Sequence, residues 1–162
     1  MRQIVPNLWF DNEAEEAAKF YTSIFKDSKI LDTTYYPEAA TEVSGKPAGS
    51  VLTVEWEIEG NRFVGLNGGP EFKFNEAVSF AVECEDQAEV DDLWEKLTGN
   101  GGEESMCGWL KDRFGVSWQI VPKALDKMLK DSNQAKVEAA TAAFMKMRKL
   151  DLPTIQKAFD EA

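Results

Sequence analysis

A strict alternation of apolar and polar residues runs along Val51–Ile58, with an apolar residue at every second position from Leu52 onward. Successive side chains of a strand point to opposite faces, so this pattern predicts a strand with one buried face. A different spacing follows Asn12, where small and apolar residues recur every three or four positions: Ala14, Ala17, Tyr21, Ile24 and Phe25. This spacing predicts a helix that ends near Phe25 and is capped by Asp11 or Asn12.

The same order of elements, β-α-β-β-β, is predicted twice along the chain. The first unit has strands at residues 4–10, 30–36, 51–58 and 62–67, with a helix after the first strand. The second has strands at 77–84, near 103–106 and in a hairpin over 108–121, with a helix that Asp86 caps and that ends at Leu97. Such a repeat indicates an internal duplication. Three further helices are predicted at 123–130, 132–149 and 151–162.

The charge balance argues against two classes of partner. The chain has 18 basic and 29 acidic residues, and its net charge is −11. A protein of this charge repels nucleic acid and anionic membranes, so neither is expected as a partner. No signal peptide and no apolar run long enough for a membrane span is visible, so a cytoplasmic location is expected. The two cysteines are too few for a disulfide framework and are expected to be buried small hydrophobic residues.

Few chemical groups in the sequence are suited to catalysis. The chain contains no histidine, so no Ser-His or Cys-His pair can form within it. The remaining candidates for a catalytic group are Glu55, Glu83 and Cys107. A carboxyl group in a dry pocket can act as a base because burial raises its pKa. Whether the chain is an enzyme therefore stays open at this point.

Three long motifs carry a resemblance to a known family. They are LWFDNEAEEAAKFY near the start, GLNGGPEFKFNEAVSF in the middle and CGWLKDRFGVSWQIVP at the end of the second unit. With the duplicated unit, they resemble the vicinal oxygen chelate superfamily, which includes glyoxalase I, extradiol dioxygenases and fosfomycin-resistance proteins. The resemblance is strongest to its PhnB-like branch, whose members are often described as 3-demethylubiquinone-9 3-methyltransferase-like.

The resemblance implies an α+β fold in which two βαβββ units form curled mixed sheets, as in glyoxalase. One domain would cover residues 1–122, with units at about 1–70 and 76–122. A C-terminal helical extension over 123–162 would then pack on the domain or on a partner subunit. Because paired modules often build shared cavities in this superfamily, a homodimer is expected.

The resemblance also makes a metal site testable from the sequence. In metal-dependent members, four strands supply His, Glu or Gln ligands to one divalent ion. The matching positions here are Gln119 on the last strand, Val64 in the duplicated position, Ser79 on the fifth strand and a residue near Val5, or else Asn7, on the first. One amide and one hydroxyl do not make a divalent metal site. No resident metal and no other cofactor are therefore expected.

Strand alternation divides the predicted sheet residues into two sets. The set expected against the helices is Ile4, Leu8, Phe10, Val78, Phe80, Val82, Trp118 and Ile120. The set expected to line a ligand pocket is Asn7, Trp9, Arg62, Val64, Ser79, Ser117 and Gln119. A mixed polar and aromatic lining is typical of small-molecule sites, so the favoured hypothesis is a metal-free protein that binds a small, partly apolar molecule.

Two other functions stay in consideration. One is a metal-independent enzyme of the same fold that uses a pocket carboxylate, Glu55 or Glu83, or the thiol of Cys107. The other is a methyltransferase, as the description of the family suggests. The sequence shows no glycine-rich turn between a strand and a helix of the kind that binds a nucleotide-bearing methyl donor.

Overall fold

The structure is a computed structural model that describes residues 3–162. Its contacts divide the chain into two compact units, Met1–Phe74 and Asn75–Ala162. Each unit contains one four-stranded sheet with a helix on one of its faces. Within the described residues, no helix is long and apolar enough to cross a membrane.

The first unit has the predicted β-α-β-β-β order with one short additional helix between its second and third strands. The elements are β1 (Asn7–Phe10), α1 (Ala14–Ile24), β2 (Ser28–Tyr35), α2 (Thr41–Ser44), β3 (Val51–Ile58) and β4 (Asn61–Asn67). A single 3₁₀ turn, Glu38–Ala40, precedes α2. The strands lie in the order β1-β4-β3-β2, with β1 parallel to β4 and the other neighbours antiparallel.

The second unit repeats this arrangement and adds three helices. Its elements are β5 (Ser79–Cys84), α3 (Gln87–Thr98), β6 (Glu103–Glu104), β7 (Trp109–Lys111), β8 (Ser117–Pro122), α4 (Lys123–Leu129), α5 (Gln134–Phe144) and α6 (Leu152–Asp160). The strand order is β5-β8-β7-β6, with β5 parallel to β8. The matching sheet orders confirm the duplicated α+β architecture.

Close packing between α1 and its sheet depends on small residues. The alanines on the inner side of the helix, Ala14, Ala17 and Ala18, are fully buried. A Cβ atom at Gly65 would lie 3.0 Å from Trp56 and 3.1 Å from Ala14, so a side chain there would push the helix off the sheet. The indole of Trp56 stacks on Phe63, with ring centroids 5.7 Å apart. The sheet face under α1 is therefore the core of this unit.

The cap of α1 differs from the sequence prediction. Neither Asp11 nor Asn12 caps the helix, and no side chain caps it from its own N-terminus. Instead the buried side chain of Asn67, at the end of β4, accepts a hydrogen bond from the Ala14 backbone N–H at 2.9 Å. The other half of the Asn67 amide donates to the carbonyl of Val51 at 3.2 Å. One side chain thus joins a helix to two strands.

The apolar side of the second sheet is covered by α3. Four residues of this helix are buried: Val90, Leu93, Trp94 and Leu97. They cover the face that carries Leu110, Trp118 and Ile120, all of which are buried. The helix begins as predicted, because Asp86 accepts a hydrogen bond from the Glu89 backbone N–H at 2.9 Å.

The three C-terminal helices form their own apolar cluster within the second unit. Its buried members are Leu125, Met128, Ala140, Leu150 and Ile155. The side-chain amide of Gln87, the first residue of α3, makes two hydrogen bonds to the backbone around the start of α6. It donates to the Leu150 carbonyl at 3.0 Å and accepts from the Leu152 backbone N–H at 2.7 Å. The backbone N–H of Cys107 also donates to the Met147 carbonyl at 2.7 Å.

Two residues expected in the core are exposed. Ile4 is 98% exposed and Val78 is 68% exposed, because the strands begin later than predicted, at Asn7 and Ser79. Pro6 precedes the first strand, and a proline cannot donate a ladder hydrogen bond. Three other predicted elements are also shorter in the structure: the strand at 103–106 is only Glu103–Glu104, α5 ends at Phe144, and α6 ends at Asp160.

Candidate functional site

The face of each sheet that lies opposite its helix carries most of the predicted pocket residues. We call this the open face of the sheet. In the second unit, the open face carries Ser79 on β5, Ser117 and Gln119 on β8, and Trp109 and Lys111 on β7, because these residues alternate with those buried under α3. The predicted residues Ser79, Ser117 and Gln119 therefore share one surface.

The strand register places polar residues in a row across this open face. Ser117 is the cross-strand partner of Ser79 on one side and of Lys111 on the other. Lys111 in turn is the partner of Glu103 on the edge strand β6. Directly opposed side chains lie about 5 Å apart at Cβ, so the four residues form a continuous polar band.

A direct hydrogen bond joins two predicted site residues. The Gln119 side-chain Nε2 donates to the Ser79 hydroxyl at 2.9 Å. Both residues are half-buried. The bond orients the Gln119 amide across β5 and β8, and its Oε1 is the acceptor end of that amide.

Ser117 has a different environment. It is only 2% exposed, and its Oγ has no hydrogen-bond partner. A buried hydroxyl without a partner costs free energy, so such groups are rare. Ser117 lines a cavity of about 130 Å³ together with Glu76, Glu103, Trp109 and Lys111.

An ion pair lies at the wall of this cavity. The Lys111 ammonium donates to the Glu76 carboxylate. That hydrogen bond raises the pKa of Lys111 and lowers the pKa of Glu76, and the negative charge of Glu103 also raises the pKa of Lys111. Lys111 is therefore held in its charged form and is not suited to act as a base.

On the open face of the first unit, Trp9 is held in place by its surroundings. Its indole Nε1 donates to the Gly69 carbonyl at 2.8 Å. Its ring meets Phe72 edge to face, with centroids 4.9 Å apart. A Cβ atom at Gly68 would overlap the indole ring, so this position requires glycine. Trp9 thus offers a positioned aromatic surface.

The other predicted residues of the first unit are more accessible. Arg62 donates to the Glu55 carboxylate in an ion pair between β4 and β3. Asn7 is exposed, and its side-chain Nδ2 donates to the Val5 carbonyl at 3.0 Å. Val64 is half-buried and pairs with Asn7 in the strand register.

The register identifies which first-strand residue matches the metal-ligand position. In the second unit, Ser79 lies two residues before Ala81, the partner of Gln119. In the first unit, the residue two before Asn7, the partner of Val64, is Val5. The four positions that the resemblance matches to metal ligands are then Val5, Val64, Ser79 and Gln119.

This donor set does not fit a divalent metal. Two of the four side chains are valines, which have no donor atom, and the other two are hydrogen-bonded to each other. Divalent ions require several oxygen, nitrogen or sulfur ligands in fixed geometry. Over residues 3–162, no group of three or more His, Cys, Asp or Glu side chains is placed to hold a metal ion.

The candidate catalytic groups have separate environments. Glu55 is paired with Arg62, and Glu83 is exposed. Cys107 is half-buried, and its thiol contacts the Met145 carbonyl at 3.8 Å, so it lies against the C-terminal extension. Cys84 is buried as expected, and this burial raises the pKa of its thiol to about 12.

Sequence reasoning missed the charged and aromatic part of the cavity. Trp109 and Lys111 flank the buried Leu110 on β7, so their alternation was the available signal. Glu76 lies before β5, and no local pattern relates it to Lys111. Only the folded hairpin brings these residues beside Ser117.

Two β-α-β-β-β units, each with its first and last strands in parallel and one open sheet face, define a glyoxalase-like protein of the vicinal oxygen chelate class. Residues 2–121 match the family described as 3-demethylubiquinone-9 3-methyltransferase. The chain therefore belongs to this family. The helices α4, α5 and α6 lie outside the matched residues.

Solved structures agree with this assignment. The PhnB protein of Bacillus cereus is 32% identical, and the match covers 75% of this chain and 99% of that one with a TM-score of 0.65. A protein of Pseudomonas aeruginosa is 20% identical over 75% of this chain and 98% of its own, with a TM-score of 0.60. The fosfomycin resistance protein FosX of Listeria monocytogenes is 14% identical over 80% and 98%, with a TM-score of 0.53. The last two matches show the fold alone. No curated protein is similar enough to the chain to count as a match.

Proposed function

We propose that this protein binds a small, partly apolar molecule on its open sheet faces, without a resident divalent metal. The observation that carries the proposal is the hydrogen bond between the side chains of Gln119 and Ser79. At two positions that the resemblance matches to metal ligands, this chain has an amide and a hydroxyl, and the Gln119 amide donates a hydrogen bond to the Ser79 hydroxyl at 2.9 Å. Such groups suit hydrogen bonding to an organic ligand.

Aromatic residues supply the apolar part of the proposed binding surfaces. Trp9 with Phe72 forms such a surface in the first unit, and Trp109 lines the cavity of the second. Small-molecule sites combine apolar and aromatic walls with a few placed polar groups. Arg62 and Val64 complete the proposed surface of the first unit.

A fragment screen by ¹H–¹⁵N NMR tests the proposal. The full chain would be kept in EDTA and titrated with small aromatic and aliphatic fragments. We expect hits that shift the Gln119 side-chain amide and the backbone signals of β5 and β8. The backbone shifts should be lost in Ser79→Leu and Gln119→Leu, while the matched change Ser132→Leu at an exposed position has no effect. Stoichiometric divalent metal in the purified protein would contradict the proposal, as would hits that both site variants retain.

The printed description of the family makes a methyltransferase the second candidate. The turns between strand and helix, residues 11–13 after β1 and 85–86 after β5, contain no glycine. A glycine-rich turn is what brings backbone N–H groups close to a nucleotide. Titration with S-adenosylmethionine up to millimolar concentration decides this candidate, and saturable binding would support it.

A metal-independent enzyme is tested by substitution of its three candidate groups. If turnover of any compound is detected, Glu55→Gln, Glu83→Gln and Cys107→Ser should be compared with the parent protein. Loss of turnover in one variant would assign the chemical group. Unchanged turnover in all three would remove this mechanism.

We also propose that the protein is a homodimer. The exposed apolar residues Ile4 and Val78 support it, since both precede edge strands, β1 and β5. Sedimentation velocity should show a dimer for the parent chain and a monomer for Ile4→Glu or Val78→Glu. Val43→Glu is the matched control, because Val43 is 93% exposed and lies on the short helix α2. A monomeric parent chain would refute the proposal.

A further inference from the structure

The small cavity beside Ser117 combines two independent features that point to a ligand. The first is Ser117, a residue that is only 2% exposed and lines the cavity, and whose buried hydroxyl has no hydrogen-bond partner. The second is charge. The cavity has the carboxylates of Glu76 and Glu103 against the single ammonium of Lys111, a formal charge of −1, because the Glu104 side chain lies on the other face of the sheet.

The one cation in the cavity is already neutralised. Lys111 forms an ion pair with Glu76, and the negative charge of Glu103 acts on the same ammonium. These carboxylates offset its positive charge, so the cavity has no net positive charge to attract an anion. Glu104 accepts a hydrogen bond from the Trp94 indole at 2.8 Å and is thereby held toward α3. Glu103 is exposed on the edge strand, and its carboxylate carries the uncompensated charge at the cavity.

We infer that this cavity binds the ammonium group of a small organic amine, with the Ser117 hydroxyl as a hydrogen-bond acceptor and the carboxylates of Glu103 and Glu76 as counter-charges. The inference rests on the proposed function and names the ligand class for the second unit. The volume of about 130 Å³ matches about four water molecules and therefore suits a head group with a short chain. Trp109 adds an indole, the aromatic ring that attracts cations most strongly.

Three probes of equal length and different charge test which ligand charge the cavity prefers. They are n-butylammonium, 1-butanol and n-butyrate, each titrated into the full ¹⁵N-labelled chain at low salt. Butylammonium should shift the backbone signals of Lys111 and Ser117 and the indole signal of Trp109, and butyrate should not. Preferential binding of butyrate would overturn the inference.

Substitutions then separate the hydroxyl from the charges. Ser117→Ala should weaken butylammonium binding about tenfold, because a hydrogen bond to a charged group is lost. Glu103→Gln should weaken it about threefold, as expected for a partly exposed charge pair. Glu138→Gln is the matched control, since it makes the same change in net charge at an exposed residue of α5. If Glu103→Gln and Glu138→Gln weaken butylammonium binding equally, the binding depends only on the net charge of the protein, and the proposed site is refuted.

Lys111→Gln gives the sharpest result, because it should change the affinity in opposite directions for a cationic and an anionic ligand. Removal of this ammonium frees Glu76 and should strengthen butylammonium binding about threefold. If the cavity instead binds anions, the same change weakens binding and the inference fails. This test can fail separately from the fragment screen. Binding of fragments at Ser79 and Gln119 with no response to butylammonium would refute the amine site and leave the proposed function standing. If neither the fragments nor butylammonium bind, the amine site and the proposed function are both refuted.

Discussion

The side-chain oxygen of Asn67 accepts a hydrogen bond from the backbone N–H of Ala14 across 53 residues of sequence. The first turn of a helix has backbone N–H groups without intrahelical partners, and usually a neighbouring Ser, Thr, Asp or Asn satisfies one of them. Here the acceptor is Asn67, the last residue of β4, in the sheet that α1 covers. The start of α1 is therefore tied to the formation of β4.

We predict that Asn67→Ala lowers the free energy of unfolding by about 2 kcal/mol, since it leaves the buried Ala14 N–H without its cap and removes a part-buried hydrogen bond to the Val51 carbonyl. Urea unfolding monitored by circular dichroism measures this change. Asn12→Ala removes the cap residue that the sequence suggests and should change stability by less than about 0.5 kcal/mol. Equal losses in the two variants would refute capping by Asn67.

The amide of Gln87 should control how firmly the C-terminal extension is held. Gln87→Ala removes both hydrogen bonds to the segment at Leu150 and Leu152, so we predict faster hydrogen exchange at the Leu152 N–H and faster proteolysis between α5 and α6. Gln156→Ala, on the outer part of α6, is the control. If both variants exchange at the parent rate, the amide does not hold the extension.

The stability of α6 should depend on pH through Asp151. Hydrogen bonds from Thr154 lower the pKa of this carboxyl below its ordinary value of 3.8. Because the folded-state pKa is depressed, the stabilisation is fully present above the unfolded-state pKa and is lost as the pH falls through the folded-state value.

Urea unfolding between about pH 5 and pH 2 measures this dependence. Asp151→Asn keeps a capping oxygen but does not titrate, so its acid-side slope should be flatter than that of the parent chain. An unchanged slope would show that the stabilisation comes from other carboxyl groups, for example Asp91, whose pKa is also lowered, chiefly by Lys149.

The two cysteines should differ in reactivity. The pKa of the buried Cys84 thiol is raised to about 12 by burial, so almost none of it is thiolate at neutral pH. Cys107 is half-buried, with its thiol at the surface of the extension. Iodoacetamide at pH 8 should therefore modify Cys107 first, as measured by peptide mass spectrometry. Cys107→Ser should leave a chain that reacts only when denatured, and rapid alkylation of Cys84 in the folded state would contradict this prediction.

The open face of the second unit was largely predictable, and its chemistry only in part. Alternation along β5 and β8 places Ser79, Ser117 and Gln119 on one side of the sheet, and the structure agrees. The hydrogen bond between Ser79 and Gln119 needed the parallel register, which the alternation does not specify. The role of Lys111 needed its ion pair with Glu76, from a segment before β5.

The sequence by itself determined the duplicated order of elements and the family, because strand and helix periods and the motifs are local properties of the chain. Errors occurred where a boundary depended on strand pairing: Ile4 and Val78 fit the apolar pattern but precede the ladders. Tertiary structure alone decided that Asn67 caps α1 and that Ser117 is buried without a partner. Each of these results depends on residues far apart in sequence, and only the register of folded strands sets the distances between such residues.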